Sequence, residues 1–284
     1  MKRAVVSGGF DDLRSGHIRF LQEAARLGEL QVLLWSDALF RFLEGKPPKF
    51  AELERRYLLE AIRYVNQVRV ILKSEVRSPK SEAQVAFLTP VLKEARLKPD
   101  IRVVNEAQDG AAAKACCQTL GIDYHVVRNE DLRGFPELGP VEPAASSSRK
   151  KVLVTGCYDW FHSGHVRFFE EVAELGDLYV VVGHDANIRA LKGRGHPLFP
   201  ETERRYMVEA VRYVKQALIS TGQGWLDAEP EIQRIKPDIY AVNEDGDRPE
   251  KRACCEQHHI QYHVLKRTPK AGLPQRRSTA LRGF

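Results

Sequence analysis

The stretch of sequence that decides the fold is Lys151-Val152-Leu153-Val154-Thr155-Gly156-Cys157-Tyr158-Asp159-Trp160-Phe161-His162-Ser163-Gly164-His165. It begins with a short β-branched run that ends at Gly156. Apolar residues at helical spacing then occupy 165–175, and a continuous apolar run at 178–182 is typical of a strand inside a parallel sheet. The stretch therefore predicts a strand, a glycine turn and a helix that begins beside the carboxyl end of that strand.

The rest of the second half continues this alternation of strand and helix. We expect an amphipathic helix over 203–214, strands over 217–219, 239–242 and 262–265, and a helix over 249–258. Such alternation predicts a Rossmann-like, doubly wound α/β fold with a parallel sheet. Ligands of such sheets bind at the carboxyl ends of the strands, so 156–165 is the candidate site.

The first half of the chain repeats the second. Residues 7–20 match 155–168, and Glu-Arg-Arg-Tyr at 54–57 returns at 203–206. Later matches link 98–100 with 236–238 and Cys116-Cys117 with Cys254-Cys255, while the first copy has extra residues around 74–89. We predict one domain at 1–135, a flexible linker rich in Pro, Ala and Ser at 136–149, and a second domain at 150–284.

Composition excludes several classes of protein. The 284 residues hold 44 Lys+Arg and 38 Asp+Glu, a net charge of +6 without basic blocks interleaved with aromatics, which argues against nucleic acid as a partner. No apolar run approaches the roughly 18–20 residues of a membrane span, and the amino end leads straight into a strand, so we expect a cytoplasmic protein. Five cysteines, two pairs of them adjacent, fit reduced thiols rather than disulfides or zinc.

The pair His162 and His165 is the strongest candidate for chemistry. Two loop histidines at the surface are the alternative, and a zinc site lacks a third ligand at a suitable spacing. The pair lies where a helix begins, and free backbone N–H groups with the positive end of the helix dipole favour phosphate there. Gly156 and Gly164 would let the backbone approach such a ligand closely.

With these residues in place, the second half resembles the His-x-Gly-His nucleotidyltransferases. It is most similar to the cytidylyltransferases that act on phosphorylated alcohols, such as the glycerol-3-phosphate, choline-phosphate and ethanolamine-phosphate enzymes. The resemblance rests on five segments in order: 156–165, Lys192, Glu203-Arg204-Arg205 with Arg212-Tyr213-Val214, Trp225 with Asn243-Glu244-Asp245, and Lys266-Arg267-Thr268 with Arg277-Ser278-Thr279.

The resemblance implies transfer of CMP from CTP to a small phosphorylated alcohol or sugar, with release of pyrophosphate and with Mg²⁺ on the triphosphate. It assigns catalysis to His162, His165 and Lys192. It assigns nucleotide binding to Gly156, Cys157, Tyr158, Asp159, Gly164, Arg205, Arg212, Asn243, Glu244, Asp245, Arg267, Arg277, Ser278 and Thr279. Two alternatives stay open: adenylyl transfer within the same superfamily, and a nucleotide-sensing or scaffold protein without turnover.

Two departures from the family pattern concern the acceptor and the closing segment. Residues 269–277 are longer than usual and place Arg276-Arg277 where a small residue is common. The run at 243–246 lacks the tryptophan typical of some members, which leaves the acceptor open.

The first copy has lost much of this set. His162 corresponds to Arg14, Lys192 to Glu44 and Arg267 to Asn129, although His17 matches His165. Fewer cations and an added anion would weaken triphosphate binding, so we expect the first copy not to catalyse. Because the family commonly dimerises through this domain, the resemblance also implies an intramolecular pseudo-dimer, as a monomer or a dimer.

Overall fold

The computed structural model describes residues 2–76, 88–93, 97–136 and 148–281. The chain divides into two compact units, Met1–Gly134 and Phe135–Phe284. Most of the extra residues of the first copy and most of the predicted linker lie outside the described residues.

The first unit alternates strands and helices. Its elements are β1 (Arg3–Gly8), α1 (Ser15–Ala25), β2 (Glu29–Trp35), α2 (Asp37–Glu44), α3 (Glu52–Glu60), β3 (Gln67–Ile71), α4 (Thr89–Leu92), β4 (Ile101–Asn105), α5 (Ala111–Leu120) and β5 (Asp123–Val127).

The second unit follows the same plan. Its elements are β6 (Lys151–Gly156), α6 (Ser163–Leu175), β7 (Asp177–Val182), α7 (Asp185–Lys192), α8 (Glu201–Glu209), β8 (Val214–Ile219), α9 (Glu229–Ile235), β9 (Ile239–Asn243), α10 (Pro249–Gln257), β10 (Gln261–Leu265) and α11 (Ser278–Leu281).

Within the described residues, each unit contains one five-stranded sheet in which every pair of neighbouring strands is parallel. The order is β3-β2-β1-β4-β5 in the first unit and β8-β7-β6-β9-β10 in the second. The chain moves outward from the central strand to one edge and then crosses to its other side, so the order reverses between β1 and β4 and between β6 and β9. The doubly wound α/β fold expected from the sequence is therefore confirmed.

Burial explains why the central strands are apolar throughout. In β6 the side chains of Val152, Leu153 and Val154 are completely buried, because helices cover both faces of a parallel sheet. On one face Leu153 packs with Tyr179 and Tyr240 against the helices α9 and α10. This core fixes the carboxyl ends of β6 and β9, where the candidate site begins.

One expectation about a helix in the second unit was wrong. The helix expected over 203–214 ends at Glu209, and Val214 already pairs with Leu178 of β7 as the first residue of β8. Parallel pairing with β7 overrides the helical spacing there. Lys192 is the last residue of α7.

The five cysteines are free thiols, as expected, and Cys117, Cys254 and Cys255 are buried. No helix among the described residues has both the length and the apolar character needed to cross a membrane.

Candidate active site

A cavity of about 450 Å³ opens at the carboxyl ends of β6 and β9, where the strand order reverses. Most of the residues predicted for the site line it: Gly156, Cys157, Tyr158, Asp159, Gly164, His165, Lys192, Asn243, Asp245, Arg267, Arg277, Ser278 and Thr279. A second cavity of about 310 Å³ shares a wall with it and extends to Trp225. We call the two the histidine lobe and the tryptophan lobe.

The two histidines lie at different depths. His165 lines the histidine lobe, whereas His162 is only 1% exposed and stacks behind it, with ring centroids 3.9 Å apart. Nδ1 of His162 accepts a hydrogen bond from the backbone N–H of Gly164 at 3.1 Å, so the neutral ring has its proton on Nε2. That buried Nε2 has no hydrogen-bond partner among the described residues.

Both histidines are held neutral. Burial, helped by the positive charges of Arg267 and Arg276, lowers the pKa of His162 to about 3. Burial also lowers the pKa of His165 well below its usual value, and His162, Arg267 and Lys192 act in the same direction. His165 can therefore donate a hydrogen bond to a phosphate oxygen in the histidine lobe without being charged, and the neutral His162 ring stacks behind it.

The turn between β6 and α6 approaches the cavity through its backbone. Tyr158 is buried and has a φ of +52°, and its counterpart Phe10 in the first unit has a φ of +46°. A Cβ on Gly156 would lie 2.7 Å from Cζ of Tyr158, so only glycine fits beneath this ring. Burial raises the pKa of the Cys157 thiol and keeps it protonated beside the cavity.

Asp159 lines the cavity, but one of its carboxylate oxygens is bound by the protein itself. Oδ1 accepts hydrogen bonds from the backbone N–H groups of Leu198 and Phe199, at 2.6 and 3.0 Å. Asp11 accepts the corresponding pair of bonds in the first unit, from Lys49 and Phe50. Because both units have this contact, Asp159 is primarily a residue that positions the loop before α8.

Arg204 forms a second set of contacts that occurs in both units. Its guanidinium donates to the carbonyl oxygens of Cys157, Phe199 and Gly183 and to the carboxylate of Asp185. Arg55 does the same in the first unit, to the carbonyl oxygens of Gly9 and Phe50 and to the carboxylate of Asp37. We call these contacts the arginine clasp.

Arg205 and Arg212, predicted to bind nucleotide, do not line either lobe. Arg205 is 5% exposed and forms a buried ion pair with Glu209 one turn along α8. Arg212 is exposed in the turn after α8, which ends three residues before it at Glu209. In the Glu-Arg-Arg motif the first arginine serves the site by holding its loop.

The closing segment packs over the start of α6. Arg267 pairs with the carboxylate of Asp245 and donates at 2.8 Å to the carbonyl oxygen of Arg276. Glu244, also predicted for the site, does not line the cavity and accepts a hydrogen bond from the backbone of Arg267. Oγ of Ser278 donates to the carbonyl oxygen of Trp160 at 3.2 Å, which places 277–279 along the histidine lobe.

The tryptophan lobe adds an aromatic surface. Trp225 is 49% exposed, and the guanidinium of Arg248 lies 5.2 Å from the centre of its ring. Lys192, Gly156 and Asp245 line both lobes, so the junction lies above the end of β6.

Sequence reasoning missed Lys251 of α10, which also lines both lobes. Its ammonium group is 3.4 Å from Oγ1 of Thr155, and the residue is 9% exposed. It belongs to no motif, but one signal was available, because the matching position in the first copy is Ala113.

The first unit has a smaller cavity of about 190 Å³ at the corresponding edge of its sheet. Glu44 lines it in place of Lys192, and Asn129 contacts Glu106 where Arg267 contacts Asp245. Arg14, at the position of His162, pairs with Asp12 at 2.9 Å. The differences between the copies thus fall on the cavity, while the clasp is retained.

No group of three or more His, Cys, Asp or Glu side chains within residues 2–76, 88–93, 97–136 and 148–281 is arranged to hold a metal ion.

Comparison with known proteins agrees with this geometry. The family model described as cytidylyltransferase-like matches residues 153–268. The chain is 41% identical over 97 residues to an FAD synthase of Ferroglobus placidus, which covers 34% of this chain and 60% of that protein. Identity to the FAD synthase of Pyrococcus horikoshii is 41% over 104 residues, covering 36% and 68%.

A longer match, 27% identical over 222 residues, is to the bifunctional protein HldE of Desulfatibacillum aliphaticivorans and covers 77% of this chain and 43% of that protein. Three findings identify the family. They are the match to the family model, the similarity to the Pyrococcus horikoshii protein over more than two thirds of its length, and the histidine pair where the strand order reverses. The chain belongs to the cytidylyltransferase-like family of nucleotidyltransferases with a His-x-Gly-His motif.

Proposed function

We propose that the second unit transfers a nucleotidyl group from a nucleoside triphosphate to a small phosphorylated acceptor. The observation that supports this most is the neutral, stacked histidine pair, with an unpartnered buried Nε2, beside a cavity lined by Lys192, Arg267 and Arg277. Neutral hydrogen-bond donors and cations around one cavity suit a polyanionic substrate.

The proposed reaction needs no nucleophile from the protein. An oxygen of the acceptor's phosphate attacks the α-phosphorus, the bond from that phosphorus to the bridging oxygen breaks, and pyrophosphate leaves with the electron pair. His165 donates to the phosphate oxygens on which charge builds, and His162 supports its ring from behind. Lys192, Arg267 and Arg277 offset the negative charge, while Mg²⁺ arrives on the triphosphate.

ATP is the donor that we favour. The two relatives with the highest identity quoted above are named FAD synthases, and FAD contains an adenylyl group. CTP is the second candidate, because the matching family model is described as cytidylyltransferase-like. Arg212 belongs to a segment that carries the resemblance to cytidylyltransferases, but it lines neither lobe and so gives no support to CTP.

The acceptor is a phosphomonoester. FMN is the first to test, because the relatives are named FAD synthases and the tryptophan lobe offers an exposed indole and the guanidinium of Arg248. A flat aromatic acceptor would stack on such a surface. Glycerol 3-phosphate, which the motif resemblance suggests, is the second.

Pyrophosphate release by the full chain tests the proposal, with ATP or CTP as donor and FMN or glycerol 3-phosphate as acceptor. We expect turnover with ATP and FMN, and a loss of roughly 10²–10³-fold in kcat for His165→Asn. The matched variant His17→Asn alters the corresponding histidine of the first unit and should keep wild-type turnover. Absence of both turnover and nucleotide binding would favour the scaffold alternative, and a loss caused by His17→Asn would show that the first unit takes part.

A further inference from the structure

Lys251 is a buried lysine that lines both lobes. Nζ contacts two neutral oxygens, Oγ1 of Thr155 and the carbonyl oxygen of Gly246, each at 3.4 Å. It forms no ion pair with a carboxylate in the part of the chain that the structure describes. The phenol of Tyr240 holds Thr155 in place through a hydrogen bond of 2.7 Å.

Such a position is unfavourable for an ammonium group unless an anion reaches it. Burial of an unpaired charge is costly, and the surroundings lower the pKa of Lys251, with burial as the largest cause. Of the nearby charged groups, Asp227 and Asp247 favour the charged lysine and Arg248 opposes it. The Tyr240 ring, 5.8 Å from Nζ, offers a further weak attraction.

The position of Lys251 indicates which phosphate group of the substrates it can meet. His165, Arg267, Arg277 and Ser278 line the histidine lobe but not the tryptophan lobe, whereas Lys251 lines both. Lys192 also lines both, but it is exposed at the end of α7. The donor's phosphates and the acceptor's phosphate must meet where the lobes join, and Lys251 is the buried cation at that junction.

The duplication supplies an internal comparison. Residues that both copies keep, such as Arg55 and Arg204, hold backbone in place. The copy that lacks His162 and Lys192 also lacks this lysine and has the buried Ala113 on the corresponding helix. Lys251 therefore follows the pattern of His162 and Lys192, which are proposed to act on the substrate, rather than that of the residues that hold the backbone.

We propose that Lys251 binds the phosphate of the acceptor and holds its attacking oxygen at the junction of the lobes. This rests on the proposed nucleotidyl transfer. The lysine gives up no proton in the step: the phosphate oxygen forms the new bond to the α-phosphorus as pyrophosphate departs, and the ammonium group remains a hydrogen-bond donor throughout.

The test compares Lys251→Met, Lys251→Arg and Lys114→Met in the full chain. Methionine keeps the length of the side chain without its charge, and Lys114 is an exposed lysine on the helix of the first unit that corresponds to α10. With the active donor and acceptor, Lys251→Met should raise the KM for the acceptor roughly 10–100-fold and the KM for the donor less than about threefold. Lys251→Arg should restore part of the loss, and Lys114→Met should match wild type.

Thermal unfolding separates this role from a structural one. Removing a buried unpaired charge should leave Tm unchanged or raise it. An unchanged acceptor KM, or equal rises in the donor and acceptor KM, would overturn the proposal.

If wild type turns over none of the donor–acceptor pairs, nucleotidyl transfer to these acceptors fails as a function, and a titration with inorganic phosphate followed by ³¹P NMR decides on Lys251 alone. Weaker phosphate binding by Lys251→Met than by Lys114→Met would support an anion site at this lysine, and equal binding would reject it.

Discussion

Neutrality of the stacked histidine pair should make the stability of the second unit depend on pH. His162 has a folded pKa of about 3, below the 6.5 of an unperturbed histidine. The unfolded chain therefore binds the extra proton first as pH falls, and stability present above pH 6.5 is lost on the way down to pH 3. Between pH 7.5 and pH 5 the loss from His162 is about 2 kcal/mol, at 1.36 kcal/mol per pH unit below 6.5.

The variant His162→Gln isolates this contribution, because all other titrating groups remain. We expect the free energy of unfolding of wild type, relative to the variant, to fall by about 2 kcal/mol between pH 7.5 and pH 5. Hydrogen exchange of the β6 amides, followed by mass spectrometry over a urea series, reports this for the second unit alone.

NMR of isotope-labelled histidine rings measures the titration of His162 directly. The C2 proton of His162 should show no titration step between pH 8 and pH 5. The matched variant His17→Gln should give a pH effect of the same sign in the first unit, since burial also lowers the pKa of His17. A step near pH 6.5 for His162, or a wild-type stability that follows the variant at every pH, would refute the neutral pair.

Three further predictions concern the clasp, the turn and the exposed lysine. Arg204→Met should destabilise the second unit by about 3–5 kcal/mol and abolish nucleotide binding, whereas Arg55→Met should destabilise only the first unit. Hydrogen exchange measures the stability of each unit, and calorimetry measures nucleotide binding. Gly156→Ala should abolish turnover, because the added Cβ would meet the Tyr158 ring at 2.7 Å; a variant with normal kcat would contradict this. Lys192→Met should lower kcat by roughly 10²-fold while unfolding stays within about 0.5 kcal/mol of wild type, as enzyme assay and urea titration can check.

Sequence patterns predicted those features that depend on local spacing. The strands, the turn at Gly156 and the start of α6 follow from apolar runs and a glycine, and they bring 156–165 to the cavity. The limits of α8 did not follow, because the pairing of Val214 with Leu178 is a contact between distant segments.

Sequence patterns also did not predict the directions in which side chains point. Arg204 and Arg205 are adjacent in the sequence, and only packing determines that the first holds the turn while the second pairs with Glu209. The depth of His162 depends on the segment that closes over it, about a hundred residues further along the chain. Lys251 has no motif and becomes visible only when its position is compared with Ala113.

The arginine clasp bears on which residues of each unit can be replaced without loss of the fold. Because the groups that hold the backbone and the groups that would meet a substrate are separate sets of side chains, selection can relax on one set without touching the other. Arg14, Glu44 and Asn129 stand where the second unit has His162, Lys192 and Arg267, whereas Asp11 and Arg55 make the same kind of backbone contacts as Asp159 and Arg204. A fold held in this way tolerates replacement of its cavity residues and offers a stable scaffold for a different ligand.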